Sequence, residues 1–136
     1  MGIKYTIYLL FAGVIMCFYS VYASSKVISG IIHLPNSFHI IGELIVEIEI
    51  QDVSIVDSKS TIIAKKTITN VYALPIEFNI VYDDAIINSG NIYSVAVKCI
   101  HIDNAGKILN TFITTQTYPV ITNGHGVVVN INLTET

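Results

Sequence analysis

The sequence has no arginine and no tryptophan, and charged residues make up only 12% of its 136 positions. Seven lysines stand against ten acids, giving a net charge of −3, and nowhere do three basic residues cluster. A nucleic-acid-binding face needs such a cluster, so that class of partner is excluded. The charged fraction is about half the usual ~25% of soluble domains. With 52% hydrophobic residues the chain is too apolar to be disordered, because it can bury enough surface to offset its conformational entropy. Its length suits one ordinary domain.

Catalytic and metal motifs are also missing. There is no Gly-x-Ser-x-Gly and no P-loop. The four histidines, His33, His39, His101 and His125, follow neither an i, i+4 nor a metal-finger spacing, so no metal site and no cofactor are expected. Asp83-Asp84 is the only adjacent acidic pair. Neighbouring acids at a strand end do not face one bond as acid–base chemistry requires, and they read as a solvated turn. The expected protein is not an enzyme.

What the chain does have is an apolar start. Lys4 is followed by an uncharged stretch from Tyr5 to Ser25, ending in Val21-Tyr22-Ala23. One positive charge, an apolar centre and small residues at −3 and −1 describe a secretory signal cleaved after Ala23. Two alternatives stay open: an uncleaved anchor, since ~18 apolar residues can span a bilayer, and lipidation at Cys17, although Met16 sits where lipoprotein processing wants a small residue. Each places the body, residues 26–134, outside the cytoplasm as a single domain. Any membrane contact is expected only through this N-terminal segment. Without residues 1–23 the body keeps one cysteine, Cys99, which cannot form an internal disulfide and reads as a buried small hydrophobe.

The body is patterned as strands. In Gly42–Asp52 the residues Leu44, Val46, Ile48 and Ile50 fall on one face, and Glu47, Glu49 and Gln51 on the other. Ile76, Phe78 and Ile80 alternate with Glu77, Asn79 and Val81 in the same way. Further strands are expected over Lys26–Leu34, Thr61–Thr69, Ile92–Ile102, Lys107–Thr117 and Val127–Leu133, with a short helical turn near Asp83–Asn88. Asp103-Asn104-Ala105-Gly106 signals a β-hairpin turn. About seven strands without an amphipathic helix predict an all-β, antiparallel sandwich, with a small barrel as the alternative.

Three blocks resemble one family. Asp52-Val53-Ser54-Ile55-Val56-Asp57 is similar to the Asp-x-Ser-Leu-x-Asp signature of YbaY-type bacterial envelope lipoproteins, which include the YscW-type pilotins of type III secretion. Pro75-Ile76-Glu77-Phe78-Asn79-Ile80-Val81-Tyr82-Asp83 resembles that family's Pro-Phe-x-Phe-x-Leu-x-Tyr-Asp segment, and Thr117–Gly124, with Pro119, resembles its Thr-x-x-Pro-Val-x-x-x-Gly end. The resemblance implies a β-sandwich in the periplasm or at the outer membrane of a Gram-negative bacterium. It also implies a non-enzymatic role and a secretin-like envelope protein as partner. Asp52, Ser54, Asp57, Pro75, Phe78, Tyr82, Pro119 and Gly124 carry it, and a structural role is expected of them. Asp52 and Ser54 suit Asx- and Ser-turns at a strand exit, Asp57 suits the next turn, and Tyr118-Pro119 suits a strand end. The other function class is a small-molecule, carbohydrate-binding or purely structural module. Its platforms would be Tyr72, Tyr82, Tyr93 and Tyr118.

Overall fold

The computed structural model describes residues 24–136 in full. Ahead of them it describes only the backbone of two strands, β1 (Thr6–Phe11) and β2 (Val14–Tyr19), which pair antiparallel with each other. The cleavage position Ala23 and the side chain of Cys17 lie outside the described residues. Among the described residues no helix is long and apolar enough to cross a membrane.

The remaining strands are β3 (Ser25–His33), β4 (Glu43–Asp52), β5 (Thr61–Val71), β6 (Ile76–Asp83), β7 (Tyr93–Ile102), β8 (Ile108–Ile113), β9 (Pro119–Val120), β10 (Val128–Asn132) and β11 (Thr134–Glu135). A 3-10 turn, Asp84–Ile86, follows β6. The strands form two sheets, one ordered β10-β3-β6 and the other β11-β8-β7-β4-β5, with β9 added beside β7. No strand is hydrogen-bonded into both sheets, so the molecule is a sandwich and not a closed barrel.

Alternation explains the layers. Because successive side chains of a strand point to opposite faces, β4 buries Leu44, Val46, Ile48 and Ile50 completely and leaves Glu47 and Glu49 half-buried outside. Its neighbour β7 runs antiparallel in unbroken register, which sets His101, Cys99, Val97 and Val95 beside those four residues. From the facing sheet, β6 contributes Ile76, Phe78, Ile80 and Tyr82, and β3 contributes Ile28 and Ile32. All the buried apolar residues, from Ile28 to Leu133, belong to one cluster.

Two details differ from the sequence-based expectation. The strand expected over Lys107–Thr117 stops at Ile113, and Pro119 opens a short strand where a strand end was expected. β8 and β9 both lie along the same edge of β7, one after the other. Between them the chain stays bonded to β7 through Thr114 N–H to Val97 O (3.1 Å) and Val95 N–H to Tyr118 O (3.0 Å). Pro119 is tolerated because β9 has a partner on one side only. The second difference is that β10 runs parallel to β3 within an otherwise antiparallel fold. Almost the whole chain separates these strands, so no hairpin dictates their direction.

The Asp103–Gly106 turn forms as its residues suggest. Asp103 Oδ1 accepts the N–H groups of Ala105 and Lys107, both at 2.9 Å, and Gly106 supplies the left-handed backbone at φ +84°.

Candidate partner-binding surfaces

The acidic pair has structural partners. Asp83 caps the 3-10 turn by accepting from Ala85 N–H (2.9 Å) and also accepts from the Ser24 hydroxyl (2.5 Å). The Ser24 hydroxyl, followed by the Ala85 N–H, holds its carboxyl below the usual range. Asp84 pairs with Lys26 at 3.1 Å. His33, His39 and His125 are exposed and scattered, and among the described residues no cluster of histidine, cysteine and carboxylate side chains could hold a metal ion.

His101 is the buried one. Its Nε2 accepts from Ile41 N–H (3.2 Å), so Nδ1 carries the proton and donates to Asn110 Oδ1 (2.8 Å). Asn110 in turn donates to Glu135 Oε1 (2.6 Å), and Phe38 packs edge-on against both His101 and Phe112. This chain ties the loop before β4 and the C-terminal strand β11 to the large sheet.

Cys99 is fully buried, and burial pushes its thiol up to about 12. The thiolate is the reactive form, so the folded protein is expected to resist a thiol reagent at mildly alkaline pH. Unfolding in urea should release one rapid equivalent from the body. Rapid labelling of the folded chain at Cys99 would show that the strand β7 interior opens to solvent.

Two of the signature residues, Asp52 and Ser54, lace one end of the sandwich together. Asp52 Oδ1 accepts from the hydroxyl (2.5 Å) and the N–H (3.0 Å) of Ser54, and its Oδ2 accepts from Asn91 Nδ2 (2.9 Å). The Ser54 hydroxyl accepts from Ile92 N–H (2.9 Å), and Asn91 O accepts from the Thr122 hydroxyl (2.6 Å). Three loops, after β4, before β7 and after β9, are thereby laced together. Asp57 is exposed in the following turn and makes no side-chain hydrogen bond among the described residues. Phe78 and Tyr82 are core residues, and burial, with Asp84 second, raises the Tyr82 hydroxyl above its usual range. Pro75 stands exposed ahead of β6, and Gly124 occupies φ +81° in the loop before β10.

Ser54 holds the Asp52 carboxyl below its usual range, mainly through the hydroxyl and then the N–H. A folded-state pKa below the unfolded ~3.9 gives stability that is present above that pH and lost as pH falls through the folded value. Asp52→Ala is expected to cost about 1–2 kcal/mol at neutral pH, a charged hydrogen-bond figure kept low for partial exposure. Urea unfolding at a series of pH values measures it. The gap between variant and wild type should shrink on acidification below about pH 4, and a constant gap would assign the loss to packing.

Asn91 and Thr122 escape a sequence reading, because nothing local links them to Asp52. Among the four tyrosines considered as platforms, Tyr82, Tyr93 and Tyr118 are buried and only Tyr72 is exposed, at 65%. Tyr118 instead braces β10, its hydroxyl donating to Asn132 O and accepting from Asn132 N–H, both at 3.0 Å.

One side of the sandwich is left open. β5 is the last strand of the large sheet and β6 the last of the small one, and among the described residues each has a partner on one side only. A groove of about 590 Å³ lies between these edges, lined by Lys66, Thr67, Ile68, Thr69, Glu77, Phe78 and Asn79. Lys66 Nζ reaches across it to Asn79 O (2.8 Å) and Oδ1 (2.9 Å). Unpaired N–H and C=O groups along such edges are ready to accept another chain.

Comparison with known proteins bears on what this surface is for. Residues 23–133 match the family model described as type III secretion system lipoprotein chaperone (YscW). Among solved structures, an alternative pilotin from the type II secretion system of Vibrio cholerae is 30% identical and superposes with a TM-score of 0.71. The alignment covers 82% of this chain and 97% of that one. No curated protein matches the sequence. A match over nearly the whole body, together with the shared sandwich, means that the chain belongs to the YscW family of type III secretion system lipoprotein chaperones.

Proposed function

We propose that this protein is an envelope accessory protein of a Gram-negative bacterium that binds a secretin-type subunit, as a pilotin does, without catalytic turnover. The observation that carries the reading is membership of the chaperone family over residues 23–133, supported by a pilotin of the same fold. The open groove between β5 and β6 is the proposed seat for a segment of the partner. It combines strand edges that offer backbone hydrogen bonds with an apolar floor at Ile68 and Phe78. The burial of three of the four tyrosines disfavours a carbohydrate platform.

Titration of the protein with the C-terminal peptide of a secretin encoded nearby tests the proposal. Saturable binding that depends little on salt is expected. Lys66→Trp, which replaces the side chain that reaches across the groove, should weaken it at least tenfold. Absence of binding would sink the chaperone reading, and undiminished binding by the variant would remove the groove as the seat.

A further inference from the structure

We propose that the end of the sandwich where the N-terminal segment joins rests on a lipid bilayer, with Ile55 and Val56 inserted among the headgroups. The register defines this end. Ser25 lies opposite Asp83, while Asp52 lies opposite both Thr61 and Tyr93, so β3, β5 and β7 start here and β4 and β6 finish here. Ser24, bonded to Asp83, marks where the chain enters. Immediately before it runs the uncharged stretch beginning at Tyr5.

The same end is ringed by exposed and half-exposed aliphatic side chains. Ile55 and Val56, in the turn after β4, are 71% and 93% exposed. Ile92 and Ile62 stand beside that turn, also exposed, since Val53 N–H bonds Ile92 O (2.9 Å) and Ile62 lies opposite Gln51. On the other sheet Val27 lies opposite Val81, and Val128, at the start of β10, is 75% exposed.

The chemistry favours lipid over a protein partner. Protein hot spots are enriched in Trp, Tyr and Arg set in pockets, whereas the exposed apolar residues here are isoleucines and valines, and the Ile55–Val56 turn projects outward. The charged groups at this end carry a small acidic excess, Asp52, Asp57, Asp83 and Asp84 against Lys26 and Lys59, so they supply no attraction to an anionic surface. Contact would therefore rest on apolar burial and would not weaken as salt is raised. The laced loops behind the turn, through Asp52, Ser54 and Asn91, hold it in place.

The test uses residues 24–136, which contain both sheets and the buried cluster of the described residues, and vesicles of phosphatidylethanolamine with a minority of phosphatidylglycerol. Wild type is expected to float with the vesicles at low and high salt alike. The double variant I55D/V56D should lose roughly a hundredfold in partitioning, as expected when two aliphatic side chains no longer insert, with an unchanged melting temperature. Ile41→Asp, at an exposed residue of the opposite end, should float like wild type. Failure of wild type to float, equal flotation of the double variant, or an equal loss in Ile41→Asp would each overturn the proposal. Because the vesicles contain no protein, the outcome does not depend on the secretin reading.

Discussion

Ile48→Ala is expected to lower the unfolding free energy by about 2–5 kcal/mol, the range for truncating a buried aliphatic side chain. Domains of this kind hold only ~5–15 kcal/mol in total, so the melting temperature should fall sharply. Ile48 is fully buried at the middle of β4, between Val97 of β7 and Lys66 of β5, where the sheet is paired on both sides and cannot collapse into the space. The adjacent Glu47 points to the outer face, so Glu47→Ala should change stability by no more than about 0.5 kcal/mol. Thermal melts of the two variants side by side measure the contrast. Similar melts would mean that the faces of β4 are exchanged.

That contrast can be written down from the sequence because a period of two leaves little ambiguity. Leu44, Val46, Ile48 and Ile50 alternate with residues that are polar except for Ile45, and Ile76, Phe78 and Ile80 with residues that are polar except for Val81, so both core faces are legible and all seven are buried. The turn at Asp103–Gly106 is equally legible, since Asp and Gly each have a local conformational reason to be there. Strand direction and sheet membership are not. The parallel pairing of β10 with β3 joins residues about a hundred positions apart, and no pattern within either strand records it. Thr114–Pro119 misleads for a related reason: the segment is β-branched and polar like a strand, yet its path is set by β7, whose edge it follows.

The candidate site divides in the same way. Asp52 and Ser54 announce a local turn, because short polar side chains bond backbone two residues away. The structure adds Asn91, Ile92 and Thr122, contributed by loops some forty and seventy residues downstream. The groove between β5 and β6 has no sequence signal, because it arises from where each sheet stops. Lys65 and Lys66 are its nearest trace, as lysines commonly stand on edge strands and discourage indiscriminate pairing.

Gly30→Ala is expected to be comparable in damage to Ile48→Ala, although it adds a single carbon. Gly30 lies on β3, flanked in register by Val129 of β10 and Phe78 of β6. A Cβ built there would stand 1.9 Å from the carbonyl oxygen of Val129 and 3.0 Å from the Phe78 ring. The ring has some freedom to yield, but the carbonyl belongs to the backbone of a paired strand, so β10 must move away from β3. That movement uncovers Ile131, which is fully buried, and strains the Tyr118 hydroxyl bonds to Asn132. Overpacking of this kind costs about 1–3 kcal/mol when side chains absorb it, and a loss at or above the upper end is expected where a strand must shift. Gly126→Ala is the control, because a Cβ there meets nothing within 4 Å. Amide exchange should accelerate across Val129–Asn132 in Gly30→Ala, whereas β4 and β7 should keep the protection of the remaining core. Melting of Gly30→Ala at the temperature of Gly126→Ala would show that β10 does not press on β3, and the small sheet would then lack its third strand in solution.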